Sequence, residues 1–85
     1  MKSFRYIIRD EMGIHARPAG LLVKAAQSCA SEITITANGK SVNAKKLFAV
    51  MGLAVKQGTE VTLTLEGTDE EKAAAELETF FEQNL

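Results

Sequence analysis

Glu32-Ile33-Thr34-Ile35-Thr36-Ala37-Asn38-Gly39-Lys40-Ser41-Val42-Asn43 is the stretch that decides the fold. Ile33 and Ile35 alternate with Glu32, Thr34 and Thr36, the period-two pattern of a strand with one apolar face. Asn38-Gly39 follows, the strongest short hairpin signal in the chain, because a type I′ turn requires positive φ at both central residues. Lys40 to Asn43 is then the return strand, with Val42 inward. One apolar face per strand specifies an antiparallel sheet covered on one side.

The same alternation occurs at both ends of the chain. Phe4, Tyr6 and Ile8 share one phase near the N-terminus, and within Thr59 to Glu66 so do Val61, Leu63 and Leu65. Helical spacing fills the intervals. From Ala16 to about Cys29 the apolar positions are Ala19, Leu22, Val23, Ala26 and Ala30, opposite a stripe of Arg17, Gly20, Lys24 and Gln27. Leu47 to Val55 is short and almost wholly apolar. Thr68-Asp69-Glu70-Glu71 reads as a capping box, with Thr68 as N-cap and Glu71 reaching back. The helix it opens should bury Ala73, Ala74, Leu77, Phe80 and Phe81. The order is β-α-β-β-α-β-α, an α+β open-faced sandwich in which three helices cover one face of a four-stranded antiparallel sheet.

The 85 residues suffice for one core, so a single domain over 1–85 is expected. No apolar run approaches the ~18–20 residues of a membrane span, and the N-terminus lacks a signal-peptide core. A cytoplasmic setting without membrane insertion is expected. The lone Cys29 excludes an internal disulfide and a cysteine-based metal site, and reads as a small buried or half-buried helix residue. Residues 1–65 hold nine Lys/Arg against four Asp/Glu, whereas 66–85 hold seven acids and only Lys72. The basic groups thus gather in the portion containing the only histidine, which favours a partner with an acidic face over nucleic acid. A small RNA-binding domain would need exposed aromatics on its sheet, but Phe4 and Tyr6 share the inward phase.

That histidine, His15, lies in Gly13-Ile14-His15-Ala16-Arg17-Pro18-Ala19, between strand and helix. At a helix N-cap it would stand over backbone N–H groups that lack intrahelical partners and favour an anion. Pro18 falls in the first turn, where its missing N–H costs nothing, and Arg17 can reach phosphoryl oxygens. A ring nitrogen could accept a phosphoryl group and release it again. A charge pair at ~4 Å is worth about 4 kcal/mol at an effective dielectric of 20 but about 1 kcal/mol in water, so an exposed site would hold the group lightly. On spacing alone, a histidine used only as a cap or loop residue competes on equal terms. Leu47-Phe48-Ala49-Val50-Met51-Gly52-Leu53 is open in the same way, between core packing and a surface patch. As a patch it would turn Val50 and Leu53 inward, expose Leu47, Phe48 and Met51, and be rimmed by Arg17, Lys24, Lys45 and Lys46.

The run at 13–19, the hairpin at 31–41, the segment from Ala44 to Gly58 and the acidic last helix together resemble HPr, the histidine-containing phosphocarrier family of the bacterial phosphoenolpyruvate:sugar phosphotransferase system. The resemblance spans essentially the whole chain. It implies sheet order 1-4-2-3 and phosphorylation of His15 on Nδ1 by enzyme I, with onward transfer to IIA units of sugar permeases. It implies that Arg17 assists transfer, with Ala16 and Arg17 at the phosphate. Met12, Ala16, Gly20, Lys24, Gln27, Lys46, Leu47, Phe48, Met51 and Gly52 would form the partner-binding face. It implies a carrier, not an enzyme, with no cofactor or metal of its own, although enzyme I needs Mg²⁺; monomer is the default for so small a transient-docking protein, with oligomeric state left open. A regulatory module that keeps the docking face without relaying phosphate is the alternative, and His15 with Arg17 argues against it. One position departs from the pattern. Where regulated members carry a kinase-modified serine, this chain has Lys46, which has no hydroxyl to modify.

Overall fold

A computed structural model describes all 85 residues. The chain runs β1 (Lys2–Ile7), α1 (Ala16–Gln27), β2 (Glu32–Ala37), β3 (Lys40–Asn43), α2 (Leu47–Met51), β4 (Glu60–Glu66) and α3 (Glu70–Asn84). The sheet order is β1-β4-β2-β3, every neighbouring pair antiparallel. β1 and β2 therefore run parallel with a gap between them, and β4 fills it late in the chain. In-phase pairing places Ile33 opposite Leu65 and Ile35 opposite Leu63, while Leu63 also faces Phe4. These central side chains are buried, each contributing about 1.5–3 kcal/mol by leaving water. Phe4 and Tyr6, on the edge strand, are only half-buried and pack against Phe81 at centroid separations of 6.0 and 5.5 Å. The opposite face keeps Thr34, Thr36, Thr62 and Thr64. Asn38 and Gly39 take φ of 52° and 77°, as the hairpin turn requires.

Three expectations about the helices are corrected. α1 ends at Gln27, because the N–H groups of Ser28 and Cys29 donate to Ala25 and Ala26 and tighten its last turn. Cys29 is consequently buried and Ala30 is exposed outside the helix. In α3 the N-cap is Asp69, not Thr68, and Glu70 rather than Glu71 reaches back, accepting from Gly67 N–H at 3.2 Å. Ala73, Leu77 and Phe81 are buried, whereas Ala74 and Phe80 are half-buried.

Asp69 leaves its own helix uncapped because it has stronger partners elsewhere. Its carboxylate accepts the N–H groups of Ala30 and Ser31, each at 2.9 Å, and the hydroxyl of fully buried Ser31. This clasp ties the start of α3 to the start of β2. The Ser31 hydroxyl first, then the Ala30 amide, hold the Asp69 carboxyl below its ordinary range. A carboxyl depressed by folding adds stability above its unfolded pKa, and that stability disappears as pH falls through the folded value. Asp69→Ala should lower the urea midpoint at neutral pH, and the gap to the natural chain should narrow on acidification. A gap that stays constant through the acid range would show that the clasp is not the source.

Candidate functional site

His15 is the N-cap of α1, with extended backbone at φ −104° and ψ −176° and no side-chain cap bond. Its ring is therefore not consumed by capping and is one-third exposed. The turn before it fixes its position. Asp10 Oδ1 accepts Met12 N–H at 2.8 Å, Asp10 O accepts Gly13 N–H at 2.9 Å, and Ile14 N–H donates to Val55 O at 3.1 Å. Gly13 adopts φ of 66°, and a Cβ there would collide with the Val55 carbonyl and the Lys56 backbone. Only glycine suits that crossing.

In the first turn of α1, Pro18 has no amide hydrogen and Ala19 N–H donates to His15 O at 2.9 Å. The N–H groups of Ala16 and Arg17 are left to solvent, beside an exposed Arg17 guanidinium with no bond or ion pair in the protein. Two amides and a free arginine thus gather at one imidazole. A shallow cleft of about 270 Å³ adjoins them, lined by Asp10, His15, Arg17, Pro18, Leu21, Gln83 and Asn84. Asp10, Leu21, Gln83 and Asn84 were not anticipated. The Asp-x-Met-Gly turn was the available signal for Asp10, whereas exposed Leu21 lies on the side of α1 that the apolar stripe leaves out.

The second feature runs beside the first. Gln27 Nε2 donates to Lys45 O at 2.9 Å near the start of α2, while Ile14 meets Val55 beyond its end. α2 therefore lies antiparallel to α1, a helix of about 18 Å, with Lys46 at the end remote from His15. Phe48 is 87% exposed, Met12 69% and Met51 39%, whereas Val50 and Leu53 are buried. Leu47 is half-buried, which corrects its expected surface position, because its side chain packs against the core cluster. Ala16, Lys24, Lys46 and Gly52 are exposed, and Gly20 is half-buried. Lys45 does not belong to the basic rim: its Nζ donates to Cys29 O at 2.8 Å, closing the end of α1. No three His, Cys, Asp or Glu side chains converge as a metal site. No helix is long and apolar enough to cross a membrane.

An open-faced sandwich with a part-exposed histidine ring, two unpaired amides and a free guanidinium at one helix N-terminus is a domain fitted to receive an anion. Residues 2–83 match the family described as "PTS HPr component phosphorylation site". The phosphocarrier protein HPr of Mycoplasma capricolum is 47% identical over 73 residues, covering 86% of this chain and 82% of that protein. Among solved structures, HPr-C-His of Thermoanaerobacter tengcongensis superposes with a TM-score of 0.92 at 41% identity, covering 96% of this chain and 92% of that one. An HPr dimer from the same organism gives 0.77 at 41% identity, covering 98% and 95%. The chain belongs to the HPr family, and is thereby a phosphocarrier-type component of the phosphotransferase system.

The Gly13 crossing yields a direct check on how the site is held. Gly13→Ala should cost at least about 2 kcal/mol, from left-handed strain and the clash with Val55. Urea unfolding measures it, and a cost within about 0.5 kcal/mol of zero would mean that the loop yields freely.

Proposed function

We propose that His15 accepts a phosphoryl group from phospho-enzyme I on Nδ1 and passes it to the IIA units of sugar permeases. The observation that carries this reading is the set of unpaired donors at His15: the Ala16 and Arg17 amides and the Arg17 guanidinium. Nε2 lies 3.9 Å from the Asp10 carboxylate, where a phosphoryl dianion would be repelled, so Nδ1 is the nitrogen left for transfer. The P–N bond to the donor breaks as the bond to Nδ1 forms, and reversal on IIA restores the free ring. The chain works as a carrier rather than an enzyme, since it is itself the substrate at each step. The carrier acts as a monomer, the default for a small protein that docks transiently on each partner. Its setting is the cytoplasm, where both partners would meet it.

Docking uses the exposed apolar surface of Met12, Phe48 and Met51 with Arg17, Lys24 and Lys46 around it. An apolar centre with a cationic rim fits partners whose own faces are acidic. Lys46 also removes the serine switch of regulated relatives, so His15 is the only phosphorylation site of the relay.

Incubation with phosphoenolpyruvate, Mg²⁺ and catalytic enzyme I should yield one acid-labile, base-stable phosphate on the natural chain and none on His15→Ala. An unlabelled natural chain, with enzyme I active on another carrier, would defeat the proposal. Arg17→Ala should slow transfer by about tenfold or more while weakening docking less, in line with loss of a charge-assisted contact to the phosphoryl oxygens. HPr kinase with ATP should leave the chain unmodified; phosphate on Ser41 together with altered transfer is the contrary result.

A further inference from the structure

Asp10 is fixed before His15 makes any use of it. Its N–H donates to Leu85 O at 2.8 Å, its carbonyl accepts Gly13 N–H, and its Oδ1 accepts Met12 N–H. The same Oδ1 faces His15 Nε2 at 3.9 Å. At that separation the carboxylate acts on the ring through its charge rather than through a direct hydrogen bond, and it favours a proton on the near nitrogen, Nε2, over one on Nδ1. The other charged group lining this cleft is Arg17, while α3 contributes only the neutral Gln83 and Asn84. Arg9, the nearest further cation in sequence, is turned away, donating to Tyr6 Oη at 2.9 Å and Glu82 O at 2.8 Å. Asp10 is therefore the one negative side chain facing the imidazole across this cleft.

We infer that Asp10 is a positioning residue for phosphoryl transfer: its carboxylate holds the His15 proton on Nε2, which leaves the Nδ1 lone pair as the nucleophile. The inference rests on the carrier reading given above and adds to it the residue that holds the ring in the tautomer transfer needs. When the donor P–N bond breaks and the new bond to Nδ1 forms, the Nε2 proton stays in place. The ring then gains positive character opposite a fixed carboxylate, and on return of the phosphoryl group to an acceptor that charge is lost. Which nitrogen of a histidine reacts is set by the partner of the other, and this arrangement supplies that partner without a second histidine or a metal.

Asp10→Asn tests the inference, because an amide oxygen can still accept Met12 N–H and keep the turn. In ¹⁵N-edited spectra of the unphosphorylated protein, at a pH where the ring is neutral, the natural chain should show the Nε2–H tautomer predominating. The variant should increase the Nδ1–H form about threefold or more and lose about tenfold in the rate of phosphoryl acceptance at unchanged KM. An unchanged tautomer ratio overturns the inference, as does slower transfer accompanied only by a raised KM, which would assign Asp10 to docking. Should the tautomer shift appear while enzyme I fails to label the natural chain, the role of Asp10 in holding the proton stands and the carrier reading falls.

Discussion

The hydrogen bond from Ile14 N–H to Val55 O, 3.1 Å long, joins the two parts of the chain on which the site depends. It exists only because Gly13 adopts a left-handed conformation and brings backbone against backbone with no Cβ between. On one side of it lies His15, entering α1. On the other lies the chain leaving α2, with the exposed Met51 and Phe48 behind it. The exposed apolar surface proposed for docking and the ring proposed to react are thus held in one frame by main chain. Side-chain contacts alone would leave that relation to rotamers.

The sheet was legible because its signals are local and redundant. Ile33 and Ile35 alternate, Asn38-Gly39 demands one turn type, and Val61, Leu63 and Leu65 repeat the same phase, so a slip by one residue would turn every apolar side chain outward. The order β1-β4-β2-β3 is a different matter, since periodicity gives no sign of which strand fills the gap beside β1; that came from family resemblance. Helix ends were least legible. Thr68-Asp69-Glu70-Glu71 satisfies a capping pattern, yet Asp69 finds two amides and a hydroxyl at residues 30 and 31, far away in sequence. A long-range competitor of that kind leaves no trace in a four-residue window.

The site divides along the same line. His15, Arg17 and Pro18 stand within four residues of one another, so their convergence at a helix N-terminus could be read directly. Lys45 shows the limit of such reading. Adjacent to Lys46 and equally basic, it looked like part of the rim, but the end of α1 captures its ammonium through the Cys29 carbonyl. Asp10 shows the converse: an ordinary turn residue by sequence, it faces the ring only because the turn at residues 10–13 folds it back. Charges at the two ends of one loop are easily counted from sequence, whereas the direction each side chain takes depends on the backbone that carries it.

Asp69 and His15 show anion chemistry put to opposite uses within one small domain. At Asp69 two amides and a buried hydroxyl close on a carboxylate that belongs to the chain, so the anion is permanent and the result is stability. At His15 two amides and a free guanidinium are unpaired in a shallow cleft open to water, and the anion proposed for them arrives from elsewhere. Solvent screening there keeps each interaction near the lower end of its range, about 1 kcal/mol per charge pair at ~4 Å. A buried version of the same donors would bind a phosphoryl group more firmly and release it more slowly. The exposure of the His15 site therefore suits its donor set to the two-way transfer proposed for it.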